Sequence, residues 1–190
     1  DFGGAGASSG SIRWTWLDNA DDENGYLLKD QAGDILAELG EGATWYLETG
    51  LNVNEPYVRY AENYNSAGAA VSASTTVYTL SLAPSGTYLI GHSSRSIQIG
   101  WDPNGNPDGT RWGIQRSINN FSTAPQVLKV SSNNYTALDY LDAGLTPYVT
   151  YYYRVLSYNG AGFPSAYDSV ISTFTLSTPT APGSFTGVAL

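Results

Sequence analysis

The chain has 190 residues, a length that suits one large domain or two small ones. Aromatic residues make up 13% of the chain and charged residues only 13%, which argues against disorder because disordered chains are poor in aromatics and rich in charge. The formal net charge of −9, with only 8 Lys and Arg together, comes close to excluding nucleic acid and disfavours an anionic membrane surface.

Cysteine and methionine are both absent from the sequence. The lack of Cys excludes disulfides, thiolate chemistry and Cys-ligated zinc, and the joint absence suits an oxidising exterior in which thiols and thioethers are liabilities. The absence of Met also indicates a processed product or an excerpt of a longer protein. No apolar run approaches the roughly 20 residues needed to span a bilayer, so no membrane insertion is expected.

Short strands are predicted from the start of the chain. Ile12, Trp14 and Trp16 alternate with polar residues and therefore share one face of a strand. Residues 31–39 are the only helix-like stretch, but it is short and contains Gly33, so we interpret it as a turn followed by a strand. Several short strands with regular turn signals indicate a β-sandwich or barrel.

Two sets of landmarks recur along the chain and divide it into two similar units. Residues 50–68 carry the pattern Gly-Leu, Tyr and Tyr-Asn-x-Ala-Gly, which returns 94 positions later in residues 144–162. Residues 11–16 match residues 96–101 at the smaller shift of 85 positions. The difference predicts extra residues in the second unit, which we place around 121–126.

These landmarks resemble the fibronectin type III pattern. Each unit has a Trp that closes the second strand, an aromatic early in the third and a Tyr corner, and each ends with an Asn-x-Ala-Gly turn before the last strand. The residues concerned are Trp16, Trp101, Tyr26, Trp112, Leu145, Pro147, Tyr151, Leu51 and Tyr57. The first unit has Val53 where the second has Pro147, and we expect its corner to be intact.

The resemblance implies an all-β chain of two tandem immunoglobulin-like β-sandwiches, at residues 1–80 and 81–177. Residues 178–190 are interpreted as a linker and the first strand of a further domain, or as a donor strand, since Phe185 and Gly187 match Phe2 and Gly4 at a shift of 183 positions. The Asn-, Pro- and Gly-rich segment 102–109 and the segment 121–126 resemble repeat-rich surface proteins of bacteria, which implies an extracellular, cell-surface location.

Two segments carry the oxygen-rich side chains that calcium prefers. One is the acidic cluster Asp18, Asp21, Asp22 and Glu23; the other contains Asp102, Asn104, Asn106 and Asp108 before Gly109. The second segment lacks a Glu at the required distance and contains two prolines. Both compositions are also those of solvated turns, so we expect no metal and no cofactor.

Catalytic residues are not indicated. His92 is the only His, and nothing in the sequence marks Ser93 or Ser94 as an activated nucleophile. A paired-carboxylate site is not excluded by spacing, but a small sandwich with short loops offers little cleft in which to shift a pKa. We therefore expect a protein that is not an enzyme.

Exposed aromatics are the remaining candidates. Trp45 and Tyr46 point to opposite faces of one strand, so one of them should be exposed, and Tyr60, Tyr64 and Tyr152 are expected to face outward. Such residues indicate an interface with protein, either copies of the chain itself or adjacent repeats, while a glycan platform is the alternative.

The function predicted from these observations is a structural module of an extracellular stalk or filament. It would assemble by donation of the strand in residues 178–190, anchored by Phe185, Val188 and Leu190, to a sheet edge near Phe2. The Gly-rich segment at residues 2–11 is expected to be a poor strand that leaves room for the donor. The alternative is an adhesive or carbohydrate-binding spacer of a secreted polysaccharide-acting protein.

Overall fold

The structure, a computed structural model, describes residues 1–19 and 21–179. These residues form antiparallel β-strands and one short 3₁₀ turn, which confirms the predicted all-β fold class. No helix in the described ranges is long and apolar enough to cross a bilayer. The predicted extra strand in residues 178–190 lies outside the described residues from position 180 onward, and so do Phe185, Val188 and Leu190.

The strands are short and follow one another closely. In chain order they are β1 Phe2–Ser8, β2 Ser11–Trp16, β3 Gly25–Asp30, β4 Ile35–Leu39, β5 Trp45–Thr49, β6 Pro56–Asn65, β7 Gly68–Val71, β8 Thr75–Tyr78, β9 Ser85–His92, β10 Ser96–Asp102, β11 Arg111–Ser117, β12 Gln126–Lys129, β13 Asp139–Ala143, β14 Thr150–Tyr158 and β15 Ile171–Phe174, with the 3₁₀ turn at Ser131–Asn133.

Strands β1 to β8 form the first sandwich. One sheet has the order β1-β2-β5, and the other has the order β4-β3-β6, with β7 and β8 paired in succession along the far edge of β6. Residues 31–39 contain a turn and then β4, as the sequence predicted.

Strands β9 to β15 form the second sandwich with the same plan, since one sheet has the order β13-β10-β9 and the other β12-β11-β14-β15. The connection before β12 covers residues 118–125, whereas the matching connection before β4 covers only residues 31–34. The predicted insertion around 121–126 is therefore confirmed for four of the nine extra residues, and the connection before β13, residues 130–138, is also four residues longer than its counterpart at residues 40–44.

Each core is filled by side chains that alternate along the central strands, because successive residues of a strand point to opposite faces. The buried apolar residues of the two central layers are Ile12, Trp14, Trp16, Tyr26 and Leu28 in the first sandwich and Ile97, Ile99, Trp101, Trp112, Ile114, Tyr153 and Val155 in the second. The inward orientation predicted for Trp14, Trp16 and Trp101 is confirmed.

The Tyr corner is present in both sandwiches. The Tyr57 hydroxyl accepts a hydrogen bond from the Asn52 amide at 2.8 Å, and the Tyr151 hydroxyl accepts one from the Thr146 amide at 3.0 Å. The first corner forms although Val53 replaces the Pro of the second, because the bond depends on the Tyr hydroxyl and a backbone amide rather than on the side chain at that position.

The expectation that the Gly-rich start is a poor strand is wrong. Residues 2–8 form β1 and pair with β2 from Phe2 opposite Trp16 to Ser8 opposite Ser11. Glycine is required here by close approach, since a Cβ on Gly4 would lie 2.7 Å from the Trp14 ring. The chain itself fills this position of the sheet, so a donor strand cannot replace β1 without displacing it.

A buried carboxylate occupies the same place in each sandwich. Glu48 accepts hydrogen bonds from the Trp14 indole at 2.8 Å and from Arg59 at 2.6 Å. Asp142, 94 positions later, accepts bonds from Arg116 at 2.7 Å and from the Tyr153 hydroxyl at 2.7 Å. Each charge is paired inside the protein, as a buried charge must be if it is not to be strongly destabilising.

Alkaline pH should weaken the second sandwich through Tyr153. Burial first, and then the hydrogen bond to Asp142, raise the pKa of Tyr153 far above its ordinary value of 10.0. Above pH 10 the unfolded chain ionises while the folded one does not, so stability present below that pH is lost by about 1.4 kcal/mol per pH unit. We expect the stability difference between wild type and Tyr153→Phe, measured by urea unfolding, to shrink by about 1 kcal/mol between pH 10 and 11, because the unfolded Tyr is already half ionised at pH 10. The exposed Tyr148→Phe is the control, and an unchanged difference for Tyr153→Phe would contradict the account.

Candidate functional site: the junction between the sandwiches

The segment that leaves the first sandwich, residues 79–84, is fixed to that sandwich at its start. The fully buried Thr79 donates its hydroxyl to the Asn52 carbonyl at 2.7 Å and accepts the Glu55 amide at 3.1 Å. The next amide, Leu80, donates to the Ser8 carbonyl at 3.0 Å. The linker therefore leaves the first sandwich in a defined direction.

The second half of the linker is fixed to the second sandwich. The Asn106 side chain holds Leu82 on both sides, accepting its amide at 3.0 Å and donating to its carbonyl at 2.8 Å. The Ser157 hydroxyl donates to the same carbonyl at 2.6 Å, and Asn104 donates to the Ala83 carbonyl at 2.8 Å. A segment bonded in this way at both ends is not a free hinge.

Direct hydrogen bonds also cross between the sandwiches. Asn54 lies in the left-handed region at φ 54°, which Asn tolerates better than most residues. Its amide nitrogen donates to the Thr110 hydroxyl at 3.0 Å, and its oxygen accepts the Gly160 amide at 2.9 Å. Asn159 donates to the Thr79 carbonyl at 3.2 Å. These three bonds tie the corner of the first sandwich to two loops of the second.

Most of the polar side chains at the junction are withdrawn from water. Asn54 is 8% exposed, Thr110 4% and Asn159 2%. A hydrogen bond of this kind contributes about 1 kcal/mol net, so three of them bias the docked arrangement over the separated one by roughly a hundredfold.

Gly160 allows the two sandwiches to approach closely. A Cβ at this position would lie 2.0 Å from the nearest atom of the Tyr78 ring, so the loop and the last strand of the first sandwich fit only with glycine there. Arg111 holds the loop in place by donating to the carbonyls of Asn159 and Gly160 at 2.8 and 3.0 Å. Backbone, ring and guanidinium thus form one packed contact.

Asn54→Gly tests whether the junction acts as a unit. Glycine keeps the left-handed conformation but removes both cross-junction bonds, each of which contributes about 1 kcal/mol net. We expect exchange of the Asn159 side-chain amide protons with solvent to rise about tenfold or more, although Asn54 does not bond Asn159. Tyr148→Gly, at the matching left-handed position of the second sandwich, is the control. Unchanged exchange in Asn54→Gly would mean that the bonds act separately.

The aromatic residues predicted as interface lie at several places. Phe2 belongs to β1 and stacks on Trp14 with ring centroids 5.5 Å apart. Trp45 is 52% exposed beneath Arg13, whose guanidinium carbon lies 4.8 Å from the ring centroid. Tyr60, Tyr64 and Tyr152 are half-buried on the outer sheet faces. Their role in an interface stays a prediction, as it does for Phe185, Val188 and Leu190.

The two calcium candidates are engaged in other contacts. Asp102 accepts the Asn104 amide at 2.6 Å, while the amide groups of Asn104 and Asn106 bond the linker, and Asp108 is exposed. In the other segment Asp18 accepts the Tyr26 hydroxyl at 2.7 Å, and Asp21 and Asp22 are exposed. Across residues 1–19 and 21–179, no three His, Cys, Asp or Glu side chains lie close enough together to hold a metal ion.

The only His and the carboxylates have structural contacts. His92 donates from Nδ1 to the Phe174 carbonyl at 2.7 Å and packs edge-on against the Phe174 ring. Burial raises the pKa of the Asp168 carboxyl, whose oxygens accept the Thr87 hydroxyl and the Val155 amide. The buried Glu48 and Asp142 lie in different sandwiches and do not form a pair.

Sequence reasoning missed the junction. The sequence patterns do not single out Asn54 or Thr79, and they indicate Asn106 only as a calcium ligand. A signal was present, because Thr79-Leu80-Ser81 returns 96 positions later as Thr175-Leu176-Ser177. A repeated polar triplet directly after the last strand indicates a shared structural role for the segment that leaves each sandwich.

Comparison with known proteins identifies the fold. No family model matches the chain, and no curated protein matches it. A structure of the first three fibronectin type III domains of chicken contactin-1 is 19% identical with a TM-score of 0.43, and it covers 93% of this chain, which spans 66% of that one. A segment of two fibronectin type III domains from chicken tenascin is 15% identical with a TM-score of 0.51, covering 93% of this chain and 98% of its own. The protein therefore has the fold of two tandem fibronectin type III domains, as the sequence resemblance predicted.

Proposed function

We propose that the chain is a rigid two-domain spacer in an extracellular multidomain stalk or filament. The fibronectin type III fold is typical of structural and adhesive modules without enzymatic activity. The observation that carries the proposal is the bonded junction, in which Asn54, Asn106 and Asn159 join the sandwiches through buried hydrogen bonds. A spacer needs a fixed angle between its domains, and a binding module with a flexible linker does not.

The extracellular location is part of the same proposal. A chain with no Cys and no Met is insensitive to the oxidation that modifies both residues outside the cell. The net charge of −9 keeps such a module soluble and repels nucleic acid. We propose a bacterial cell surface as the location, because the segments 102–109 and 121–126 resemble those of repeat-rich surface proteins of bacteria.

Pulsed electron paramagnetic resonance tests the spacer directly. The chain contains no Cys, so Ile35→Cys and Val127→Cys add two unique labelling sites. Both side chains are exposed, at 59% and 50%, and lie on matching edge strands of the two sandwiches. We expect one narrow distance distribution between the labels. A broad distribution, as a flexible linker gives, would refute the spacer.

Strand donation by residues 178–190 is a separate proposal for assembly. An extended segment can pair its backbone N–H and C=O groups with a protein partner by joining an exposed sheet edge. Because β1 already fills the first position of its own sheet, we propose that the donor pairs with another exposed edge. Removal of residues 178–190 should then abolish any self-association measured by sedimentation, and unchanged association would exclude this mode.

An adhesive role is the second candidate, and one surface favours it. Trp45 and Leu47, 52% and 42% exposed, project from the outer face of the β1-β2-β5 sheet beside Arg13. On that face β2 contributes Thr15 beside Arg13, and β1 beyond it contributes the small residues Gly3 and Ala5, so no large side chain of β1 projects there. Exposed aromatic rings on flat surfaces bind sugar rings or protein. Binding on a glycan array that Trp45→Ala abolishes would support this role, and an array without signal would remove the sugar.

A further inference from the structure

The first sandwich has an open cleft at the end that points away from the junction. We call this end, with residues 17–19, 21–24 and 65–67, the head of the sandwich. The cleft has a volume of about 590 Å³ and is lined by the rings of Phe2, Trp16 and Tyr26 together with Leu17 and Val71. Leu17 and Val71 are 61% and 65% exposed, so apolar side chains face water there.

The head of the second sandwich is covered by the linker. Ser157, opposite Trp112 in the β11–β14 pair, donates to the Leu82 carbonyl at 2.6 Å. The matching residue of the first sandwich is Asn63, which lies opposite Tyr26 in the β3–β6 pair and lines the cleft. Within the described residues no hydrogen-bond partner reaches the Asn63 side chain.

The next matching pair repeats this relation. The oxygens of Asn65 and Asn159 both accept an amide of their own loop, from Ala67 and Phe163 at 2.9 Å in each case. The nitrogen of Asn159 donates across the junction to the Thr79 carbonyl at 3.2 Å. No acceptor in the described part of the chain reaches the nitrogen of Asn65. The head of the first sandwich therefore carries two amide side chains where the second has two donors to the linker.

The opposite end of the second sandwich, which we call its tail, repeats the end that delivers the linker. Thr175 donates its hydroxyl to the Thr146 carbonyl at 2.7 Å and accepts the Val149 amide at 3.1 Å, as Thr79 does with its own corner. The Leu176 amide donates to the Ser93 carbonyl at 3.0 Å, as Leu80 does with Ser8. The described residues thus include a tail that repeats the linker-delivering end and a head that none of their linker segments covers.

We propose that the head of the first sandwich is a docking site for the tail of a second copy of this chain. Residues 175–179 of that copy occupy the cleft as residues 79–84 cover the head of the second sandwich, and the side chains of Asn63 and Asn65 donate to its carbonyls. This inference rests on the proposed spacer function. The contact is heterologous, since head and tail are different surfaces, and it therefore builds an open filament.

The tail of the second sandwich differs from the linker-delivering end of the first at a position that matters for the junction. The first sandwich has Asn54 there, and the second has Tyr148. Tyr148 has φ 57° and stands where Asn54, at φ 54°, reaches into the second sandwich. Its side chain is 81% exposed, more than any other large apolar residue among the described ones. In the docked copy this ring lies against residues 17–19, 21–24 and 65–67, where it replaces the amide contacts of Asn54 with apolar area.

Two joined copies test the docking at high effective concentration. Residues 1–181 followed directly by residues 1–179 place Phe2 of the second copy eight positions after Thr175, the spacing between Thr79 and Thr87. Spin labels are placed at Val127→Cys of the first copy and Ile35→Cys of the second. We expect a narrow distance distribution across the join and loss of the narrow component when Asn63 and Asn65 of the second copy are both changed to Ala.

The same label pair within one chain is the matched control, because it spans the natural junction. A narrow distribution within the chain and a broad one across the join would overturn the docking while leaving the spacer intact. Broad distributions in both would overturn both proposals. A narrow distribution across the join that survives the double Asn substitution would also overturn the assignment of these side chains as donors.

Discussion

Arg116→Ala should destabilise the second sandwich by about 3 kcal/mol. The substitution leaves Asp142, 4% exposed, with the Tyr153 hydroxyl as its remaining close partner. Removal of one partner of a buried ion pair is expensive because an uncompensated charge stays in the interior. Urea unfolding followed through the indole proton signals of Trp112 and Trp14 separates the two sandwiches, and only the Trp112 transition should move.

Asp142→Asn in the Arg116→Ala background is the matched control. The amide keeps an acceptor for Tyr153 but removes the charge, so the double variant should be more stable than Arg116→Ala alone. A loss below about 1 kcal/mol for the single variant, the value typical of exposed pairs, would mean that water already screens Asp142. The same logic applies to Glu48 and Arg59 in the first sandwich.

Gly160→Ala should separate the sandwiches without unfolding them. A methyl group 2.0 Å from the Tyr78 ring cannot be accommodated, and opening the junction costs only its few hydrogen bonds, about 3 kcal/mol. We expect the label distance between positions 35 and 127 to become broad while the unfolding midpoints of both sandwiches stay close to wild type.

Two variants complete this test. Gly91→Ala is the control for the loss of glycine, because nothing lies within 4 Å of its Cβ position. Tyr78→Ala in the Gly160→Ala background removes the ring that causes the clash and should restore a narrower distribution. A narrow distribution in Gly160→Ala itself would show that the ring and the loop move apart while the sandwiches stay docked.

The cores could be predicted because their signals are local. The alternation of Ile12, Trp14 and Trp16 requires only a period of two, and the Tyr corner depends on residues five positions apart. Because the two units repeat, a strand or corner pattern found in one unit could be located at the matching position of the other. Two copies of one pattern therefore indicate the fold class even when the chain has low sequence similarity to other proteins.

The junction could not be predicted in this way because its partners are distant in sequence. Asn54 bonds Gly160 across 106 positions, and no local pattern distinguishes a junction Asn from a turn Asn. Asn106 shows the difficulty, since its amide suits a calcium loop, a turn or a linker clamp equally well. Only the fold decides that its partner is Leu82.

The buried carboxylates could be predicted from the sequence only in part. Glu48 and Asp142 occupy the same position of the repeat, which the sequence shows once the units are aligned. Their partners differ, because Arg59 of β6 has its counterpart in Tyr153 while the second Arg comes from β11. Both units have an acidic residue at this position, but the difference between its partners is visible only in the structure.

Residual dipolar couplings test most directly whether the two sandwiches form one rigid spacer. Backbone amide couplings measured in one alignment medium report the orientation of each sandwich independently. We predict that a single alignment tensor fits the couplings of residues 2–78 and 85–174 together, with equal magnitude for the two sets. Two tensors of different magnitude would show that the sandwiches move independently, and the spacer account would then be wrong.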